Sequence, residues 1–126
     1  MEPQAEKFAV WDVVRVEFPY ADEARVRRRP GLVIAAPEVV GAFTLIWILM
    51  ITSARHGLWP LDAPISDLSS AGLPHPCVIR PAKVATFDAR LATRIGRLAG
   101  VDQPTVARAL RAILGDAVGG VTSSVA

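Results

Sequence analysis

The chain is poor in the side chains that staple or metallate a small protein. Cys77 is its one cysteine among 126 residues, so no internal disulfide forms, and His56 and His75 are its only histidines. That set is too small for a structural zinc site, no cofactor or metal is expected, and a lone thiol fits a reducing cytoplasm. Long apolar runs are missing as well. Leu45 to Ile51 stops after seven residues, whereas a membrane span needs about 20, so the segment reads as a buried strand and no membrane association is expected. The opening MEPQAEKFAV carries charge and no apolar core of signal-peptide length. Three catalytic signatures are absent: the GxxxxGK[ST] phosphate loop, HExxH and GxSxG. Lysine is almost missing, with only Lys7 and Lys83.

Arginine takes lysine's place. Arg25, Arg27, Arg28 and Arg29 crowd together immediately before an apolar run, and Arg90, Arg94, Arg97, Arg108 and Arg111 follow in the last third. The guanidinium fork grips phosphate in a bidentate manner, so the cluster suits an anionic partner, although the formal net charge is only +2. Hydrophobic residues make up 52% of the chain. That is enough for one packed core over residues 1–126, with loose termini about 1–7 and 116–126.

Patterning predicts an α+β fold. Phe8 to Phe18 alternates loosely as a first strand. Pro19 to Arg29 reads as a polar loop, Gly31 to Ala36 as a second strand entered through Pro30, and Phe43 to Thr52 as a third after a turn at Pro37 to Gly41. Arg55 to Pro64 reads as irregular and Ile65 to Ser70 as ambiguous. Cys77 to Arg80 and Lys83 to Phe87 read as two strand pieces broken by Pro81. Asp88 is placed to cap a short helix bearing Leu91, Ile95 and Leu98. Asp102 is placed to cap another, with Pro104 in its first turn, a stripe of Val106, Leu110, Ile113 and Leu114, and Gly115 as its stop. Strands first and helices last suggest a curled antiparallel sheet.

Two features point to chemistry. Arg29-Pro30 sits at a strand entrance, and Thr52-Ser53 puts a hydroxyl pair where the third strand ends. Arg80 ends CVIR in a similar position. If the sheet brings these ends together, guanidinium and hydroxyl groups line a shallow site able to hold a phosphodiester and stabilise added negative charge. Asp12, Glu17, Asp22 and Glu23 read as solvated surface charge, and His56 and His75 as loop histidines.

The order WDVVRVEFPY, RRRPGLVI, MITS, GLPHPCVIRPAKVATFD and the GRLAG…VARALRAILG helix resembles the PemK/MazF family of type II toxin–antitoxin toxins from about Val10 to Gly115. The resemblance matches Trp11-Asp12-Val13 to a Gly-Asp-[IV] opening without its glycine. Arg29-Pro30-Gly31-Leu32-Val33-Ile34 matches the R-P-x-L-V-I element, Ile51-Thr52-Ser53 an I-T-S element, and Gly72 to Arg80 a G-L-x-x-[DP]-S-x-V-R element with Cys77 in place of serine. It implies a small SH3-like antiparallel β-barrel with a C-terminal helix, forming a homodimer. It also implies a metal-independent, sequence-specific endoribonuclease (an mRNA interferase) acting on single-stranded RNA. Arg29 and Thr52 would then be the catalytic pair, with Arg27, Arg28, Ser53, His56, His75, Arg80 and Lys83 binding RNA or supporting the site. A cognate antitoxin, itself the link to DNA, would occupy the RNA groove.

The sequence departs from that pattern at three further positions. Ala82 stands where some relatives carry an acidic proton-transfer residue, Lys83 replaces a frequent glutamine, and Ala85 replaces a basic residue before Thr86. These departures leave room for a catalytically inactive RNA-binding relative. A gyrase poison of the same fold is disfavoured by the ending GGVTSSVA, which lacks a terminal tryptophan.

Overall fold

Strand alternation places most of the candidate residues on one or the other face of a single sheet, with His56 and His75 in turns at its margin. The computed structural model describes residues 7–19, 26–37 and 44–123, without the side chains at 18, 19, 26 and 120–123. Strands β1 (Asp12–Pro19), β2 (Val26–Ala35), β3 (Leu45–Ser53), β4 (Ala63–Pro64), β5 (Cys77–Asp88) and β6 (Ala92–Arg97) form a six-stranded sheet in the order β4-β5-β3-β2-β1-β6. All neighbours run antiparallel. The outer strands β4 and β6 do not pair with each other, so the expected small barrel is an open one. Helix α1 (Leu68–Ala71) lies between β4 and β5, and α2 (Gln103–Ser123) follows β6.

The sheet is covered on both sides. Val13, Leu32, Leu49, Ile51 and Ile79 alternate onto one face and pack with Ala71, Leu98 and Val106, so α1 and α2 cover that side. Val14, Val16, Val33, Ile46, Ile48 and Met50 alternate onto the other face and pack with Ala89, with Phe8 and Phe87 at the margin. Residues two apart on a strand share a face, and cross-strand partners do too. Strands buried on both faces read as continuous apolar runs, which is why LVIA and LIWILMI show so little alternation.

The structure departs from the sequence reading in several places. Arg27, Arg28 and Arg29 are not in a loop. They pair with Phe18, Glu17 and Val16 in the β1–β2 ladder, where Arg27 and Arg28 are exposed and Arg29 is half-buried beside the core residue Val16. Residues 20–25, with Tyr20, Asp22, Glu23 and Arg25, lie outside the described residues, as do 38–43 and the ring of Phe18. Pro81 does not split the strand after Arg80. β5 runs on, but its partner register jumps from Arg80 opposite Met50 to Val84 opposite Leu49, so Pro81, Ala82 and Lys83 bulge out. A bulge is where a residue without an N–H fits a strand. The segment Arg55 to Pro64 holds a 3-10 turn, Ala54–His56, and strand β4, while Ile65 to Ser70 runs into α1.

The helix expected after Asp88 is instead a 3-10 turn, Ala89–Leu91, followed by strand β6. Asp88 does cap, accepting the Arg90 N–H at 2.9 Å. The strand forms because β1 offers its free edge to Ala92–Arg97 and because Gly96 passes against α1, where a Cβ would lie 2.3 Å from the Ala71 carbonyl carbon. Asp12, expected on the surface, is 4% exposed. It accepts the Ala9 N–H at 2.8 Å and pairs with Arg94 at 2.9 Å and Arg97 at 3.4 Å, tying the start of β1 to β6.

Asp102 precedes α2, yet its carboxylate holds the loop before α1, accepting from the Ser66 hydroxyl at 2.7 Å and from the Ser66 and Asp67 N–H groups at 3.1 Å. Gly115 does not stop α2, which continues to Ser123. Among the described residues no helix is long and apolar enough to cross a membrane.

Two glycines test this packing in opposite directions. Gly96→Ala drives a methyl group into the α1 backbone and lowers stability by about 3 kcal/mol, the upper range for overpacking, seen as a fall in Tm. A Cβ at Gly115 meets nothing within 4 Å, so Gly115→Ala raises stability by about 1 kcal/mol through helix propensity.

Candidate active site

The face that carries Val33 and Ile48 also carries Arg29, Met50 and Thr52. Arg29 is two residues before Gly31, which pairs with Met50, and Thr52 is two residues beyond Met50. Met50 in turn pairs with Arg80 on β5. Beyond the Met50 side chain the apolar core gives way to a cavity of about 210 Å³ lined by Arg29, Met50, Thr52, Arg80, Lys83 and Ala85 among others. The arginine and hydroxyl singled out in the sequence therefore share one cavity. Lys83, in the β5 bulge, lines it as well.

The cations of the site fall into two kinds. Arg29 is half-buried and Lys83 exposed, and both face the cavity. Arg80 is committed elsewhere. Its side chain is 8% exposed and pairs at 2.9 Å with the carboxylate of Asp62, itself 2% exposed. The same guanidinium donates to the Gly57 carbonyl at 2.9 Å and lies 4.2 Å from the centroid of the Trp59 ring. Asp62 also accepts the Trp59 N–H at 2.8 Å. Burial pushes the Asp62 carboxyl up, but the Arg80 hydrogen bonds, the Trp59 N–H and the Arg80 charge outweigh it, and the group sits below its ordinary value.

Arg80 thus fastens the 57–62 loop to the sheet and leaves Arg29 and Lys83 as the charges facing the cavity. The loop's outer side is apolar: Leu58 is 71% exposed, and Trp59 and Leu61 are 46% exposed.

Thr52 is half-buried, and its Oγ1 lies 2.9 Å from Nδ1 of His56. Ser53 does not face the cavity lining; its hydroxyl caps the 3-10 turn, accepting the Arg55 N–H at 3.3 Å. Arg27 is exposed next to Arg29. Alternation sends Arg28 to the opposite face, where it pairs with Glu17 at 3.3 Å. His75 lies exposed in the turn before β5, outside the cavity lining, and its carbonyl accepts the Cys77 thiol at 3.2 Å. Burial pushes that thiol's pKa up. Ala82 is exposed in the bulge. Among the described residues no three His, Cys, Asp or Glu side chains group closely enough to hold a metal ion.

The sequence reading missed Asp62. A signal for it exists in retrospect: an arginine inside an apolar strand needs a buried counter-charge, and Asp62 and Asp67 are the nearest upstream carboxylates.

The chain belongs to the family described as PemK-like, MazF-like toxin of type II toxin–antitoxin system, whose model matches residues 9–114. No curated protein matches the chain. Among solved structures, the fold resembles the Mycobacterium tuberculosis toxin MazF-mt6, with a TM-score of 0.59 and 22% identity over 79% of this chain and 92% of that one. It also resembles MazE-MazF from Deinococcus radiodurans, with a TM-score of 0.63 and 22% identity over 84% and 94% of the two chains.

Removing one partner of the Arg80–Asp62 pair strands a buried charge, so Asp62→Ala costs about 3–5 kcal/mol. Because the folded-state pKa of Asp62 is depressed, its stabilisation is complete above the ordinary value of 3.8 and is lost as pH falls through the lower folded value. Thermal melts between pH 7 and pH 2 therefore show Tm falling below about pH 4, with that part of the fall absent from Asp62→Ala.

Proposed function

We propose that this toxin is an endoribonuclease that cuts single-stranded RNA in the cytoplasm, without a metal ion, by attack of a ribose 2′-hydroxyl on the adjacent phosphate. The observation that carries the reading is that Arg29 and Thr52 line one cavity together with Lys83. The reaction passes through a pentacovalent phosphorus carrying extra negative charge and leaves a cyclic phosphate and a 5′-hydroxyl. It requires cationic and hydrogen-bonding groups where charge develops. Arg29 supplies a planar donor fork for the phosphoryl oxygens, Thr52 a hydrogen bond to the scissile phosphate, and Lys83 a point charge. In this reading Arg27 extends the phosphate track, and Arg80 supports the site through the loop it holds.

Unpaired bases are recognised by stacking and by contacts to their edges. Trp59, backed by the Arg80 guanidinium, offers such a ring beside the cavity. Assembly as a homodimer suits the apolar face where Trp47 and Val84 lie exposed near Ile113 and Leu114 of α2. Control by an antitoxin accords with the family and with the solved MazE-MazF assembly. An acidic, partly disordered inhibitor would meet the same cations that RNA does.

One observation favours a second reading, a binder without cleavage: the position of a proton-transfer acid in some relatives is Ala82, and it faces solvent.

Incubating the purified chain with a mixed RNA pool in EDTA separates the two. Cleavage predicts discrete fragments with 5′-hydroxyl ends, produced about a hundredfold more slowly by Arg29→Ala. Intact RNA in the presence of folded protein contradicts the nuclease reading.

A further inference from the structure

We propose that His56 is the proton acceptor behind Thr52, an inference that rests on the RNA-cleavage reading above. The sequence builds this contact locally. Ser53 caps the 3-10 turn, and Gly57, at φ 78°, ends it after His56. One short turn returns position 56 to the side of position 52, with Oγ1 and Nδ1 2.9 Å apart. When Nδ1 is unprotonated, the hydroxyl donates to the ring and its oxygen is left to accept from a substrate hydroxyl.

The other groups around the cavity do not serve this purpose. Guanidinium and ammonium groups are donors without a lone pair to offer, which sets aside Arg29 and Lys83. The Asp62 carboxylate is engaged by Arg80 and the Trp59 N–H. Neither histidine lines the cavity; His56 meets it through Thr52, whereas the His75 ring has no such contact among the described residues, and Ala82 has no proton to exchange. A threonine hydroxyl alone is too weak a base to deprotonate a ribose. Coupled to an imidazole it passes the proton on, as hydroxyl–imidazole pairs do in nucleophile activation.

The step balances as follows. The 2′-hydroxyl gives its proton to Thr52 Oγ1 while Oγ1 gives its own to His56 Nδ1. The freed 2′-oxygen bonds to phosphorus and the bond from phosphorus to the 5′-oxygen breaks. The departing 5′-oxygen takes a proton from water, and the hydroxide left behind recovers the proton held on the imidazolium. His56 thus acts through Thr52 and positions its hydroxyl as well as relieving it of a proton.

The test measures single-turnover RNA cleavage and RNA affinity for wild type, H56N, T52V and the T52V/H56N double variant. The asparagine amide keeps a hydrogen bond to Thr52 but takes up no proton, so a purely structural role is rescued by H56N and a proton-accepting role is not. The expected result is a loss of about a hundredfold in rate for H56N, with RNA affinity and thermal stability unchanged. The double variant should cut no more slowly than T52V, because the imidazole has no other route to the substrate. H56Q, which places its amide differently, is expected to lose activity in the same way. Full activity in H56N, or an undiminished effect of H56N in the T52V background, overturns the proposal while leaving the nuclease reading intact. Failure of the wild-type chain to cut RNA overturns that reading, and this proposal with it.

Discussion

The cross-strand register of β2, β3 and β5 is the constraint on which the rest depends. Gly31 opposite Met50, and Met50 opposite Arg80, fix which side chains share a face. A slip of one residue would turn Arg29 and Thr52 to the helix side of the sheet and bring buried apolar groups to the cavity. Two cores protect the register, since each face has its own set of buried residues that any slip would displace. The site is thus a by-product of core packing: the cavity begins where the apolar residues of one face run out, and the next residues on the same alternation are an arginine and a threonine.

A second layer of design separates charges that hold the site from charges that face it. Arg80 is buried and neutralised by Asp62, and its energy goes into fixing the 57–62 loop. Arg29 and Lys83 line the cavity instead. The same division recurs at the far edge, where Asp12 gathers Arg94 and Arg97 to join β1 to β6. A basic chain can therefore spend much of its arginine on internal ion pairs, and net charge alone says little about what its surface binds.

Much of the fold was legible in the sequence because it rests on local signals. The strand cores, the α2 stripe and the Asp88 cap all follow from periodicity and capping. What was not legible depends on partners distant in the chain. Leu91, Ile95 and Leu98 have helical spacing, yet the open edge of β1 recruits that segment as a strand. Arg27 to Arg29 look like a loop until β1 supplies the opposite side of a ladder. Thr52 and Arg29 were singled out from expected strand ends and family resemblance, yet Arg29 lies within β2, and that the two share a cavity is a matter of register. The role of Asp62, and the contact of His56 with Thr52, are visible only once Arg80 and Thr52 are seen in place.

The central claim is that Arg29 and Thr52 act on one anion. Nuclear magnetic resonance tests it most directly: the Arg29 side-chain Nε–H and the Thr52 methyl group are followed during titration with a single-stranded oligonucleotide whose 2′-hydroxyls are replaced by hydrogen, so that it binds without being cut. The account predicts that both signals shift along one saturation curve with a common Kd. Shifts confined to Arg28 and Glu17 on the opposite face, or Arg29 and Thr52 signals that follow different curves, would contradict it.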